Sequence, residues 1–249
     1  MAPLNPKASA WDQIGGLFWT QGRVSARPSQ SELDEFCSGI EPNQKVCVIG
    51  ASTKELCEEV ISLDAQLTVI DFSQKMIQDL SLVLNEGDLR VLDITAEIPA
   101  DLDARFDFVL SDRLINRFDH EEARRGVEGM SNLLLSGGIM RTSVKLGLYP
   151  MDRTMLSHAA EADCVDDFWD EATQTIDFSR AGASLEAGLL PHGSIDKILL
   201  KDWYKGRGRE KRFTEQEIET LLKEAHFEDI QASIFPDASE TKMFMGIRV

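Results

Sequence analysis

The sequence predicts an α/β fold built on a mostly parallel sheet, and three observations support this. From Lys45 onward, short runs rich in valine and isoleucine alternate with helical segments, which implies right-handed βαβ units. The second and third of these runs each end in an aspartate, Asp71 and Asp93. After a last helical segment the chain ends in two strand-like stretches, which predicts an antiparallel edge.

The N-terminal segment Ala8–Val24 is rich in aromatic residues and almost free of charge. Three of its apolar residues have helical spacing and predict one buried helical face: Trp11, Ile14 and Phe18. Ser29 and Glu32 match a capping box, which predicts a helix over about Gln30–Gly39. Residues 1–40 are therefore expected to form a helical extension that acts as a lid.

Residues 41–148 are expected to form the core of the fold. Its five predicted strands are Lys45–Ile49, Leu67–Ile70, Leu89–Leu92, Phe106–Leu110 and Ile139–Val144. The predicted helices between them are Glu55–Leu63, Gln74–Leu84 and Glu121–Leu135. Ser73 is placed to cap the second helix, and Gly137 with Gly138 is expected to end the third.

Residues 149–211 lack a clean strand pattern and are expected to form a helical insert beside the substrate, with helices near Arg153–Glu161 and Ser194–Trp203. Residues 212–249 are expected to complete the core. Their predicted elements are a helix opened by the capping box of Thr214 and Glu217 and running to about Ala225, the strands Phe227–Phe235 and Met243–Val249, and a turn at Pro236–Glu240.

The composition excludes some partners. A net charge of −17 over 249 residues repels a phosphate backbone, which argues against nucleic acid. The apolar runs are too short to span a bilayer, and the N-terminus lacks the apolar region of a secretory signal. The four cysteines, Cys37, Cys47, Cys57 and Cys164, match no zinc or redox motif. We therefore expect a cytoplasmic protein with reduced thiols, no metal site and no membrane contact.

The strand ends carry the candidate chemistry, because ligands of open parallel sheets lie beyond the carboxyl ends of the strands. Gly50 follows the first strand and allows a ligand to approach the backbone. Asp71 lies about 20 residues further on, a spacing that suits the hydroxyls of a ribose. The Asp93 carboxylate can accept from an adenine amino group, and the Ile94 N–H can donate to a ring nitrogen.

Five stretches together resemble class I S-adenosylmethionine-dependent methyltransferases: Val46–Glu55, Val69–Ile77, Asp93–Pro99, Phe106–Ser111 and Leu133–Val144. The stretch Asp71–Met76 is similar to the family's Asp-x-Ser-x-x-Met motif, and Arg212–Leu222 with Phe227 is similar to its last helix and strand. The resemblance implies a Rossmann-like, seven-stranded sheet. One departure is the turn after the first strand, where Ser52 and Lys54 replace two of three family glycines. It favours a divergent subfamily, with weakened cofactor binding as the alternative.

The resemblance implies S-adenosylmethionine as the cofactor, held by Gly50, Ala51, Ser52, Asp71, Phe72, Met76, Asp93, Ile94 and Ser111. The candidate substrate-binding residues outside the core are Trp19, Arg27, Tyr149, Trp203 and Tyr204. His158, His192 and Tyr149 are the candidates for a catalytic base, although surface positions are favoured for both histidines. The basic run Lys205–Arg212 is expected to be a solvated loop, with attraction of an anionic substrate or the cofactor carboxylate as the alternative.

The reaction implied by the resemblance is in-line methyl transfer to an oxygen or nitrogen of a small metabolite. Such a transfer needs a base only when the acceptor has to lose a proton. A non-catalytic scaffold that binds S-adenosylmethionine is the main alternative. An NAD-dependent oxidoreductase is disfavoured because the G-x-G-x-x-G motif is missing. Whether the protein forms a homodimer is left open.

Overall fold

A computed structural model of the chain describes residues 5–22, 27–235 and 238–249. Five parallel strands form most of the central sheet: β1 (Lys45–Ile49), β2 (Gln66–Asp71), β3 (Asp88–Val91), β4 (Phe106–Asp112) and β5 (Leu134–Lys145). Three short strands follow in the insert: β6 (Trp169–Asp170), β7 (Thr175–Asp177) and β8 (Arg209–Lys211). The last two strands are β9 (Phe227–Phe235) and β10 (Ala238–Arg248).

The central sheet has seven strands in the order β3-β2-β1-β4-β5-β10-β9. Strand β10 pairs antiparallel with both β5 and β9, so it points in the opposite direction to the other six strands of this sheet. The order reverses between β1 and β4, so the chain crosses from one half of the sheet to the other at that point. A ligand crevice is expected there.

Ten helices surround the sheet in the described part of the chain. They are α1 (Pro6–Ile14), α2 (Leu17–Gln21), α3 (Gln30–Cys37), α4 (Lys54–Ser62), α5 (Gln74–Ser81), α6 (His120–Leu133), α7 (Pro150–Glu161), α8 (Gly182–Gly188), α9 (Lys197–Gly206) and α10 (Glu215–Glu224). Two hydrophobic clusters cover the sheet, one with α3, α4 and α5 and the other with α6 and α10. The predicted α/β fold with helices on both faces is confirmed.

The predicted helix starts are confirmed by their caps. Ser29 with Glu32 and Thr214 with Glu217 form complete capping boxes. The Ser73 side chain accepts from the Met76 N–H at the start of α5. These caps satisfy backbone donors that have no partner within the helix. Among the described residues, no helix is long and apolar enough to cross a membrane.

The N-terminal segment is not one continuous helix. Gly15 ends α1 with a positive φ of 46°, and its N–H bonds to the Trp11 carbonyl. The Gly16 N–H donates to the Asp79 carboxylate at 2.6 Å. A Cβ at Gly15 would lie 2.6 Å from that carboxylate and would strain the positive φ, so glycine is favoured at this contact with α5. The predicted apolar face is nevertheless buried, and the end of the predicted segment, Arg23 to Val24, lies outside the described residues.

Two further expectations were wrong. Helix α6 ends at Leu133, and Gly137 and Gly138 lie inside β5, where the pairing with β4 shifts register. The insert contains strands as well as helices, because β6, β7 and β8 pair into a small antiparallel sheet. Strands this short leave little periodic signal in the sequence. Of the predicted turn, Pro236 and Asp237 lie outside the described residues, and β10 already begins at Ala238.

Candidate functional site

A cavity of about 930 Å³, including its opening to solvent, lies at the carboxyl ends of β1, β2, β3 and β4. We call it the first cavity. Six of the predicted cofactor-binding residues line it: Gly50, Ser52, Asp71, Phe72, Asp93 and Ile94. They come from three different strand ends, which the parallel sheet places at one edge.

Gly50 opens the turn after β1 with a φ of 105°, a backbone conformation that residues with a side chain adopt only with strain. A Cβ built there would meet only the Ser52 hydroxyl, at 4.0 Å, so the turn presents bare backbone to open space. The Thr53 hydroxyl donates to the Gly50 carbonyl at 2.9 Å and holds the turn in shape. Lys54 pairs with Glu58 on α4 and does not line the cavity.

Asp71 ties the turns after β1 and β2 together. One carboxylate oxygen accepts from the Ala51 N–H at 2.8 Å, and the other accepts from the Ser73 N–H at 2.7 Å. Burial raises the pKa of Asp71 to about 6, although these two hydrogen bonds oppose the rise. Each oxygen retains lone pairs for further donors from the cavity.

Asp93 is held from two sides. Its Oδ1 accepts from both the backbone N–H and the hydroxyl of Thr95, at 2.9 and 2.8 Å. Its Oδ2 accepts from the side-chain amide of Asn5 at 2.9 Å. The N-terminal segment therefore reaches the predicted adenine end of the cavity.

Sequence reasoning missed Asn5 and Lys7, which both line the first cavity. The Lys7 ammonium is almost buried and contacts Glu122 at 2.5 Å and the carbonyls of Arg117 and Arg209 at 2.7 and 2.8 Å. These contacts fasten α1 over the cavity. The sequence carried one usable signal, since Asn5 before Pro6 is a typical helix start.

A second cavity of about 1080 Å³, including open space, lies between the insert and the sheet. Four residues line both cavities, so the two are neighbours: Phe18, Arg113, Arg117 and Arg207. Of the predicted substrate and base residues, four line the second cavity: Tyr149, His192, Trp203 and Tyr204.

Several predicted site residues line neither cavity. Met76 on α5 is fully buried, and the buried Ser111 hydroxyl donates to Thr142 at 2.8 Å, so packing takes both side chains away from the ligand space. Ala51 is fully buried and acts only through its N–H to Asp71.

Three more predicted site residues lie outside both cavity linings: Trp19, Arg27 and His158. The Trp19 indole donates to the Ser52 carbonyl at 3.3 Å, while Arg27 donates to the Trp19 carbonyl and pairs with Glu55 at 3.3 Å. They brace the β1 turn from outside. The His158 ring bonds to the Ser184 hydroxyl at 3.1 Å and lines neither cavity.

The basic run is not a solvated loop, because half of it is buried in ion pairs: Arg207, Glu210, Lys211 and Arg212. Arg207 forms two bonds of 2.7 Å to Glu210, and Arg212 forms bonds of 2.6 and 3.0 Å to Asp152. Burial alone would raise the pKa of Glu210, but Arg207, Arg117 and Arg212 hold it at about 2. Pairing of β8 with β7 brings the run inside, and Asp152 was missed because it lies far away in sequence.

The structure bears on two of the candidate bases, His192 and Tyr149, which both line the second cavity. His192 is not on the surface, since its ring packs 5.3 Å from Phe18 and 6.4 Å from Trp203, centroid to centroid. Burial raises the pKa of Tyr149 to about 12. A phenol with that pKa stays protonated at neutral pH and is suited to donate a hydrogen bond, not to remove a proton.

The strand order, the reversal between β1 and β4 and the cavity at that point define a class I methyltransferase fold. Solved methyltransferases share it. One is a protein that is provisionally named a methyltransferase and was solved in complex with the Haloferax volcanii methyltransferase activator Trm112. It matches with TM-score 0.59 and 13% identity over 98% of this chain and 97% of its own. A Methanosarcina mazei S-adenosylmethionine-dependent methyltransferase matches with TM-score 0.54 and 14% identity over 84% and 94%.

The chain therefore has the fold of class I S-adenosylmethionine-dependent methyltransferases. It belongs to the same family as a Rhodobacter sphaeroides protein of known structure, at 43% identity and TM-score 0.94 over 99% of this chain and 100% of that one. That protein carries the provisional name of a Zn-dependent alcohol dehydrogenase. No protein-family model and no curated protein sequence matches the chain.

Proposed function

We propose that the protein binds S-adenosylmethionine in the first cavity and transfers its methyl group to an oxygen or nitrogen of a small molecule in the second. The observation that carries this proposal is the convergence of Gly50, Asp71 and Asp93 on one cavity at the point where strand order reverses. The methyltransferase fold supports it independently.

The residues present fit the cofactor. The open space in front of Gly50 would receive the methionine part, next to the β1 turn with Ser52. The Asp71 carboxylate would accept from the ribose hydroxyls, and Asp93 with Ile94 would hold the adenine. Replacement of two family glycines by Ser52 and Lys54 does not close this space, because the Ser52 hydroxyl lies 4.0 Å from a Cβ built at Gly50 and Lys54 is paired on α4.

The bound cofactor supplies a methyl group that is already activated as a sulfonium. The chain therefore has to align the acceptor and exclude water. Trp11 and Phe18 from the N-terminal helices line the first cavity, and Phe18 also lines the second. The Tyr149 phenol stays protonated at neutral pH because burial raises its pKa to about 12, so it would not take a proton that must leave the acceptor.

A zinc-dependent dehydrogenase, the activity in the name of the Rhodobacter protein, does not fit this chain. Zinc sites use three or four Cys, His or carboxylate ligands. Within the described ranges, no group of three or more such side chains could hold a metal ion. Burial raises the pKa of the Cys37 thiol to about 12, which opposes the thiolate form that zinc binds.

Calorimetry with S-adenosylmethionine, S-adenosylhomocysteine and NADH tests the proposal. We expect both sulfur compounds to bind and NADH not to bind. Asp71→Ala should weaken binding by about 1–3 kcal/mol, the scale for losing a charged acceptor. Asp88→Ala is the matched control, since Asp88 begins β3 at the opposite edge of the sheet and is paired with Arg90.

The outcomes separate the functions. Failure of both sulfur compounds to bind at millimolar concentration would sink the proposal. Binding without methyl transfer to any acceptor pool would favour the non-catalytic scaffold. Binding of NADH in their place would favour an oxidoreductase.

A further inference from the structure

Three hydrogen-bond donors of the second cavity are buried without an acceptor among the described residues. They are the Tyr149 hydroxyl, the Trp203 indole N–H and one Nη of Arg207. Trp203 and Arg207 are each only 2% exposed. Buried polar groups are nearly always satisfied, so three unmatched donors around one cavity indicate a ligand that supplies acceptors.

The same region carries an excess of positive charge on an otherwise acidic protein. Three guanidiniums of the second cavity, Arg117, Arg207 and Arg212, face two carboxylates, Asp152 and Glu210. The Arg117 guanidinium comes no closer than 3.9 Å to Glu210, which already pairs with Arg207 at 2.6 Å and Arg212 at 3.3 Å. One positive charge therefore lacks a close counter-ion in the described structure.

The other two cations of the cavity are already neutralised. Arg113 pairs with Asp112 at 2.8 Å and with Glu32, and Lys145 pairs with Glu240 at 2.9 Å. Burial and the neighbouring Arg207 lower the pKa of Arg117, so its charged form is held at an energetic cost. A cation whose side chain is only 27% exposed, and whose nearest described carboxylate lies 3.9 Å away, is expected where a ligand provides the anion.

We propose that the second cavity binds a carboxylate of the methyl acceptor, held by Arg117 and by the Tyr149, Trp203 and Arg207 donors. This inference rests on the proposed function and narrows its substrate to carboxylic acids. One excess positive charge matches a monoanion better than a phosphate dianion, and guanidinium binds the planar carboxylate through two parallel hydrogen bonds. Met151, Phe178 and Leu190 line the rest of the cavity and favour an apolar body.

Two pairs of compounds probe the inference on protein saturated with S-adenosylhomocysteine: benzoate with benzamide, and indole-3-acetate with indole-3-acetamide. Each pair shares its shape and differs in charge. We expect calorimetry to show that the acids bind at least about tenfold tighter than the amides, as a charged hydrogen bond predicts. Equal affinity within both pairs, or no binding of either acid at millimolar concentration, overturns the inference.

Two variants and a control locate the effect. Arg117→Met should remove the preference for acids, and Tyr149→Phe should weaken acid binding by about threefold to tenfold, the value of one hydrogen bond. Tyr149→Phe should leave the melting temperature unchanged, since the hydroxyl has no partner among the described residues. Arg117→Met should lower it only slightly, since it removes one pair of 3.9 Å with Glu210, which keeps its closer partners Arg207 and Arg212. Arg124→Met removes an equal charge from the exposed face of α6 and should change nothing. An acid preference that survives Arg117→Met contradicts the inference.

The affinity for S-adenosylhomocysteine distinguishes the two proposals. It should be unchanged in Arg117→Met, and a loss there would assign Arg117 to the cofactor carboxylate and overturn the substrate inference alone. Absence of S-adenosylhomocysteine binding by the unaltered protein would instead overturn the proposed function. The affinities of the acids and their amides would then be compared by calorimetry on the protein without S-adenosylhomocysteine.

Discussion

The side-chain amide of Asn5 donates to the Asp93 carboxylate at 2.9 Å, although 88 residues separate the two in sequence. A primary amide has the same N–H donors as the adenine amino group that Asp93 is proposed to bind. The N-terminal segment thus donates to the same carboxylate that the proposed cofactor would use. Cofactor binding and this contact should compete.

Asn5→Ser tests that competition. Serine still caps α1, where Asn5 accepts from the Lys7 N–H, but it is too short to reach Asp93. We expect S-adenosylhomocysteine to bind about twofold to tenfold tighter, because no hydrogen bond has to be broken first. Calorimetry measures the change, and Asn132→Ser on the exposed face of α6 is the control. Weaker binding in Asn5→Ser would show that Asn5 supports the bound cofactor.

The raised pKa of Asp71 makes cofactor affinity depend on pH. Burial raises this pKa to about 6 from an ordinary value of 3.8, so the folded protein binds a proton more tightly than the unfolded chain does. Hydroxyl donors prefer the ionised carboxylate, and affinity for S-adenosylhomocysteine should rise about tenfold from pH 5 to 7.5 and then level off. Asp71→Asn should remove most of this dependence. A flat profile in the unaltered protein would contradict the prediction.

The same pKa predicts the sign of the stability change. A carboxyl group with a raised folded pKa contributes stability that is complete below its unfolded pKa and lost as the pH rises through 6. From pH 5 to 8 this contribution should fall by about 1.4 kcal/mol, since one pKa unit corresponds to about 1.36 kcal/mol. Urea unfolding of the unaltered protein and Asp71→Asn at both pH values measures it as a difference.

Gly50 and Gly39 offer a matched pair for separating strain from cofactor binding. Both have positive φ, 105° and 73°, and neither would bring a new Cβ within 3.4 Å of another atom. Alanine at either position should cost about 1–2 kcal/mol of stability through backbone strain. Only Gly50→Ala places a methyl group in the first cavity, so it alone should weaken S-adenosylhomocysteine binding, by about tenfold or more. Equal affinities in the two variants would remove Gly50 from the site.

Glu210 is central to the buried charge cluster, and its removal should destabilise the fold. Glu210→Gln leaves Arg207 and Arg212 without full compensation, which typically costs about 3–5 kcal/mol. The folded pKa of about 2 lies below the ordinary value of 4.5, so the contribution is present above 4.5 and is lost toward pH 2. The difference between the two proteins should therefore shrink in acid. Glu219→Gln, at an exposed pair on α10, is the control for urea unfolding.

Local patterns predicted the scaffold well. The ends of β1 and β2, the caps at Ser29, Ser73 and Thr214 and the final helix follow from residues a few positions apart. Periodicity and capping act over one or two turns of chain, and such signals survive in a single sequence. They failed at Gly15, where the break in the N-terminal helix depends on Asp79 of α5.

Local patterns could not predict burial. The run Lys205–Arg212 has the composition of a solvated loop, and only its pairing with β7 and with Asp152 brings it inside. Ser111 is the opposite case, because it was expected to face the ligand and its hydrogen bond to Thr142 instead keeps it buried away from the ligand space. In both cases the deciding partner lies dozens of residues away and leaves no mark near the side chain that it binds.

The sequence by itself determined how strands and helices succeed one another along the chain. It also placed Gly50, Asp71 and Asp93 at three successive strand ends, because the alternation of elements sets which residue follows which strand. The tertiary structure alone decided that these ends share the first cavity with Asn5. It also decided that the second cavity is lined by hydrogen-bond donors without acceptors and by Arg117, which has no close counter-ion among the described residues. The physical reason is that hydrogen bonds and charge pairs are chosen by distance in space. Distance along the chain does not determine them.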